Sequence, residues 1–211
     1  MIGAGARTNT TRDIQAWDVM NDHIFPERTT ERLELCEITR EHAEWYLEHF
    51  SIPEIVIGQG FPPPKDLQAA REELDQYIVG LFEKGLGYRW GVRIKGQKDI
   101  IGSLGFYSWD TDNDKAKMGY DLKPAHWGKG IMSEALERVI RFGFEDMNLN
   151  RIEVTIMETN HRSISLATRL GFVREGILRQ FSKFDGKYID EHTFSMLRRD
   201  WLTDREKADR V

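Results

Sequence analysis

Apolar positions along this chain change their spacing several times, and each change marks an element. In "ERLELCEI" (31–38), Leu33 and Leu35 alternate with polar neighbours, the two-residue period of a half-buried strand. In "TREHAEWYLEHF" (39–50), Ala43, Trp45, Tyr46, Leu47 and Phe50 break that alternation and predict a helix, with Thr39 as its N-cap. "SIPEIVIGQGFPPPK" (51–65) reads as a loop, because three successive prolines fit neither a helix interior nor a central strand. From Asp66 to Lys84, the residues Leu67, Ala70, Leu74, Tyr77, Ile78, Leu81 and Phe82 recur three or four apart, which predicts a second helix stopped by Gly85.

Strand periodicity then returns. "YRWGVRI" (88–94) and "IIGSLGFYSW" (100–109), joined by the polar turn "KGQKD", form a hairpin, and "AKMGYDL" (116–122) adds a strand that ends before Pro124. The remainder alternates strand and helix. Met132, Ala135, Leu136, Val139, Ile140, Gly143 and Met147 mark one helix face, while Glu134–Arg138 and Glu137–Arg141 pair on the other. "RIEVTIM" (151–157) is a strand, and "HRSISLATRLGF" (161–172) a short helix between Asn160 and Gly171. "EGILRQFSKF" and "YIDEHTFSML" close the chain as a second hairpin through the turn "DGK", before a charged tail over 200–211 expected to be a solvated tail or a frayed helix. The order is β-α-α-β-β-β-α-β-α-β-β. That is an α+β fold with a mixed, mostly antiparallel central sheet flanked by helices.

Composition narrows the class. A chain of 211 residues, 40% hydrophobic and 31% charged, suits one domain with one sizeable core over residues 30–199, preceded by an N-terminal extension over 1–29 that is expected to be loose at its start and to pack in places. The extension lacks the apolar core of a signal peptide, and no apolar run approaches the ~18 residues of a membrane span. A net charge of −5 gives no bulk attraction for nucleic acid. The single cysteine, Cys36, excludes an internal disulfide, points to a reducing, cytoplasmic setting, and reads as a core residue at a strand end. No His, Cys and carboxylate cluster has metal-ligand spacing, so no metal is expected. A homodimer is compatible with the chain.

The chemistry starts at "AHWGKG" (125–130), between a strand and a helix. Glycine costs roughly 1 kcal/mol in a helix relative to alanine, so two of them at a helix start need a reason. Amides at that position are unpaired and carry the positive end of the helix dipole, and glycines let an anion approach them. Neither the P-loop spacing nor the third glycine of a dinucleotide fingerprint is present, because residue 133 is Ser. The alternative is a plain tight strand-to-helix turn.

Several spaced motifs then resemble one family. "TERLEL", "IIGSLGF", "GYDLKPAHWGKGIMSEAL" and Asn160-x-x-Ser163 followed by "LGFVREG" resemble, in that order, the GNAT superfamily of acetyl-CoA-dependent N-acetyltransferases. The branch most similar is that of the ribosomal-protein N-terminal acetyltransferases. The resemblance implies that the amides of Trp127, Gly128, Lys129, Gly130, Ile131 and Met132 hold the pyrophosphate of coenzyme A. It further implies that Tyr120, Asp121 and Leu122 bond the pantetheine arm through their backbone, and that Asn160 contacts the cofactor. Ala125 stands where the family motif has Gln or Arg, and Ala167 where many members carry a proton-donating Tyr. Ser163 matches the serine of the ribosomal branch, as a proton donor or as a cap that also binds cofactor.

The base is less defined. Glu158 and Asp121 fall near the expected centre, either as bases or as surface and hydrogen-bonding groups; Glu175 and His126 read as structural and solvated. Freeing an α-amine of pKa ~8 at pH 7 costs about 1.4 kcal/mol, whereas a lysine at ~10.4 costs about 4.6 kcal/mol. A protein N-terminus is therefore the leading acceptor. A small amine such as a polyamine or an aminoglycoside, and a non-catalytic acyl-CoA-binding regulator, are the alternatives. Residues 40–84 and the terminal hairpin would frame the acceptor, with Trp45, Trp90, Trp109 and Tyr188 as candidate lining residues or core aromatics.

Overall fold

The structure, a computed structural model, describes residues 24–208; the loose start expected for the extension lies outside the described residues. The elements run β1 (Arg28–Thr29), β2 (Leu33–Glu37), α1 (Ala43–His49), α2 (Pro53–Gln59), α3 (Leu67–Leu74) and, after a π-helical turn over Asp75–Val79, α4 (Gly80–Glu83). β3 (Tyr88–Ile94), β4 (Ile100–Asp110) and β5 (Lys115–Leu122) follow, then α5 (Ile131–Glu145), β6 (Arg151–Met157), α6 (His161–Arg169), β7 (Val173–Phe184), β8 (Lys187–Leu197) and α7 (Arg198–Ala208). One eight-stranded sheet has the spatial order β1-β2-β3-β4-β5-β6-β8-β7. All neighbours are antiparallel except β5 and β6, which are parallel, as the crossover through α5 requires.

Two stretches differ from the sequence reading, and the tail follows one of its alternatives. The stretch 51–65 is not all loop: Pro53 opens α2, where a missing N–H does no harm, and Gly60 ends it in the left-handed region at φ 74° before the three prolines. The extension joins the domain before residue 30, since Phe25 is buried edge-on against Phe82 and Trp90, and β1 pairs with β2. Of the two readings of the tail, the helix is the one found, as α7, whose Trp201 lies 5.1 Å from the Phe144 ring.

Strand alternation gives the sheet two different faces. Tyr88, Trp90, Leu104, Phe106, Met118, Ile152 and Val154 pack under the apolar face of α5 to form the main core. At ~1.5–3 kcal/mol per large apolar side chain, this layer is the main source of stability. The opposite face carries the second core, in which Cys36, Ile38 and Ile100 meet Ala43, Tyr46, Ala70, Leu74 and Ile78 from the first helices. β5 and β6 touch over only three rungs, Lys115–Arg151, Ala116–Ile152 and Lys117–Glu153, after which they diverge.

Candidate active site

The cradle begins where β5 stops. Trp127 donates its indole N–H to the Leu122 carbonyl at 2.7 Å, folding the chain back on the strand end. Gly128 and Gly130 adopt φ of 72° and 74°, a region open to glycine and costly by about 1–2 kcal/mol for other residues. Gly130 is the N-cap of α5 and, without a side chain, leaves the first-turn amides uncapped. A Cβ on Gly128 would meet nothing within 4 Å, so the approach to those amides is open. Ile131 and Met132 bury their side chains and offer only backbone outward. Arg32 fixes the loop from the far side, with Nε 2.6 Å from Glu134 Oε2 and Nη1 donating to the Lys129 carbonyl at 3.1 Å. The Lys129 side chain is exposed, and the Arg162 guanidinium lies 4.3 Å over the Trp127 ring. Unpaired amides, a helix dipole and several cations fit a pyrophosphate.

The divergence of β5 from β6 opens a cleft of about 1260 Å³ through the sheet. Its walls are Met118–Tyr120 on one side and Val154–Met157 on the other, with Asn160 and Ser163 from α6 beside them. Tyr46, Phe50 and Tyr77 cover it from the α1–α4 side, and Phe181 from the terminal hairpin. On its floor, Gly119 makes room for two side chains: a Cβ there would lie 3.2 Å from Arg89 Nη1 and 3.5 Å from the Tyr107 ring.

Two expected residues meet here. Tyr120 Oη and Ser163 Oγ are 2.7 Å apart. Burial raises the Tyr120 phenol to about 12, against the opposing pull of its bond with Ser163. Asn160 sets this geometry, accepting from the Ser163 amide at 3.1 Å and donating to the Gly58 carbonyl at 3.2 Å. The Tyr120 side chain was missed in the sequence, although Met118, Tyr120 and Leu122 alternate onto the face where α6 packs.

Other expectations are corrected. Asp121 is no accessible base: it points to the opposite face from Tyr120 and is sealed in, with His49 Nε2 and Arg89 Nη2 each 2.5 Å from its oxygens. Ser103 adds its amide at 2.9 Å and its hydroxyl at 2.7 Å. Burial alone would raise the Asp121 carboxyl, but His49, Arg89 and Ser103 outweigh it and hold it at about 2. Glu158 is exposed and lines no part of the cleft. Trp90 is fully buried in the main core, Trp45 stacks on His49 and bonds the Ile100 carbonyl, Trp109 packs on the main core, and Tyr188 is exposed under Lys183; none lines the cleft. Glu175 is structural, as read: Arg151 and then Ser195 bond it and lower its carboxyl to about 2. Burial, then Lys129 and Lys123, lower the His126 imidazole. Among the described residues no cluster of His, Cys, Asp and Glu is arranged to hold a metal, and no helix is long and apolar enough to cross a membrane.

A family model described as an acetyltransferase (GNAT) domain matches residues 32–173. The chain belongs to the GNAT acetyltransferase family. Within it, the chain is 38% identical over 172 residues to the uncharacterized N-acetyltransferase p20 of Bacillus licheniformis, covering 82% of this chain and 96% of that protein. It is 29% identical to the [ribosomal protein uS5]-alanine N-acetyltransferase of Escherichia coli (strain K12), over 77% of this chain and 84% of that one. Among solved structures, that of spermidine N-acetyltransferase from Vibrio cholerae, with CoA and spermine, superposes with a TM-score of 0.72 at 21% identity. That match covers 81% of this chain and 98% of the other. This GNAT protein is an acetyl-CoA-dependent N-acetyltransferase whose resemblance extends to the ribosomal-protein branch.

Proposed function

We propose that the acceptor is the N-terminal α-amine of a protein. The observation that carries this reading is the character of the cleft. Its rim has exposed Phe61, Tyr77, Leu86 and Phe181, and its charged lining residues are Arg89, Lys117 and Lys183 against Glu73 and Glu191. A polyamine brings several positive charges and little apolar surface, and would meet more cations than carboxylates. A peptide brings one ammonium and apolar side chains, which suit an apolar mouth. The relative that acts on a ribosomal-protein alanine points the same way.

When bound, acetyl-CoA supplies an acetyl group activated as a thioester. In this reading the amides of Trp127 to Met132 hold its pyrophosphate, and the free edge of β5 at Tyr120–Leu122 holds its pantetheine arm. Ser163 keeps a proton at Oγ, backed by Tyr120, for the departing sulfur. A thiol of pKa ~8.5 leaves without a strong acid, so hydroxyls suffice. The lone Cys36 accords with a reducing cytoplasm. Turnover of acetyl-CoA against a panel of free N-terminal peptides, polyamines and aminoglycosides tests the reading. Peptides should be the faster substrates; faster acetylation of spermidine would overturn the acceptor, and binding of acetyl-CoA without turnover would make the protein a regulator.

A further inference from the structure

We propose that Glu191 receives the acceptor ammonium and takes its proton. Only two carboxylates line the cleft among the described residues, Glu73 and Glu191. Glu73 sits on α3, where burial raises its carboxyl and the Tyr46 phenol bonds it. Glu191 stands on β8 directly opposite Met157, the last residue of β6, in the part of β6 beyond its pairing with β5. Register places it on the same face as Thr155 and Met157, since Thr193 pairs with Thr155 and Glu191 with Met157. That is the face covered by α1 to α4, across the sheet from the Tyr120–Ser163 pair. Glu191 is half-buried, and among the described residues its carboxylate has no hydrogen-bond or salt-bridge partner. The other carboxylates near the centre are engaged or remote: Asp121 by His49 and Arg89, Glu153 by Arg151 at 2.7 Å, Glu158 in solvent.

The cleft around Glu191 is also lined by Arg89 on β3, Tyr107 on β4, Lys117 on β5 and Lys183 on β7, and Glu153 on β6 lies near Tyr107 as well. Arg89 is neutralised by Asp121 at 2.5 Å, and Lys183 lies over the Tyr188 ring. Tyr107 is close enough to Glu191 for the carboxylate to raise its phenol, after the larger effect of burial and against the pull of Arg89. An ammonium entering here replaces water around a carboxylate that lacks a protein donor, the most favourable pairing the cleft offers.

The proton balance closes. One N–H proton of the ammonium passes to Glu191 and on to water. The freed nitrogen pair forms the C–N bond as the C–S bond breaks. The second N–H proton is released in that step, and the departing sulfur takes one from Ser163 Oγ, which is restored from solvent. The assignment rests on amine acetylation itself and not on which amine is used.

The experiment compares the full-length protein with Glu191→Gln and Glu191→Asp, using a lysine-free hexapeptide with a free alanine N-terminus and, in parallel, spermidine. Glu191→Gln should lower kcat/KM about 100-fold at pH 7, and the deficit should shrink as pH rises past the amine's pKa, where no proton need be removed. Calorimetry with coenzyme A present should show weaker binding of the acceptor at pH 7 and unchanged binding of coenzyme A. Glu191→Asp should recover part of the loss. Turnover within twofold of wild type, a deficit equal at every pH, or acceptor affinity equal in both proteins for both probes overturns the assignment, absence of binding to either protein included. If wild type prefers spermidine, the N-terminal reading falls, while Glu191 is judged on the spermidine data.

Discussion

Tyr120 and Ser163, on β5 and α6, share one hydrogen bond of 2.7 Å, and this joins the strand at the cleft wall to the helix that Asn160 caps. The two hydroxyls therefore act as a pair. Ser163→Ala should lower kcat at least tenfold with little change in affinity for acetyl-CoA, because a proton needed only as sulfur departs affects the chemical step. Tyr120→Phe should lower kcat less, since Ser163 Oγ remains in place. Steady-state kinetics beside calorimetry checks both. A change in thermal stability alone would reduce Ser163 to a helix residue.

Gly128→Val should cut acetyl-CoA affinity by more than tenfold and leave the fold intact. The residue sits at φ 72° with open space where a Cβ would be, so a side chain would obstruct the amides without clashing. The backbone strain of about 1–2 kcal/mol is small against the stability of such a domain. Calorimetry on the folded variant measures it, and undiminished affinity would remove the cradle from the cofactor site.

Asp121 is expected to govern stability and not turnover. Its folded pKa lies below the ordinary aspartate value of ~3.9, so its contribution is fully present above about pH 4 and is lost as pH falls through about 2. Asp121→Asn leaves Arg89 with no buried counter-charge, and breaking such a pair costs about 3–5 kcal/mol. Thermal melting should show a fall of roughly 10 °C at pH 7. Wild type should lose its midpoint only below about pH 4. A loss already complete between pH 7 and pH 5 would show that carboxylates do not control it.

A peptide with a free N-terminus and blocked lysines should be acetylated about 100-fold faster at pH 7 than one with the reverse protection. The difference of roughly 3 kcal/mol in freeing the two amines sets that ratio before any binding preference. Paired initial rates decide it, and a faster lysine peptide would refute the acceptor.

Much of the fold was legible because its elements carry strong periods: strands with clean alternation and the helix beginning at Ile131. The glycine turn before α5 was legible because two glycines at a helix start call for backbone that other residues avoid. The stretch 51–65 misled because α2 has only seven residues, too few for a period, and the prolines beyond it dominate. Asp121 misled for a different reason. Its strand told which face it takes, but not that His49, 72 positions away in the chain, would be waiting there. Trp90 failed as a lining residue in the same way, since aromatic character does not say which side of the sheet is solid. Glu191 was invisible until register placed it opposite Met157.

The early parting of β5 and β6 gives the sheet four borders instead of two. Its outer borders are blunted in familiar ways: β1 has two residues, and β7 is irregular between Leu178 and Ser182, with Gln180 at φ 52°. The inner borders need no such blunting, because they face each other across the cleft and lie within the molecule. Backbone that would invite self-association on the outside is thus kept inside, where it can pair with a guest that enters the cleft.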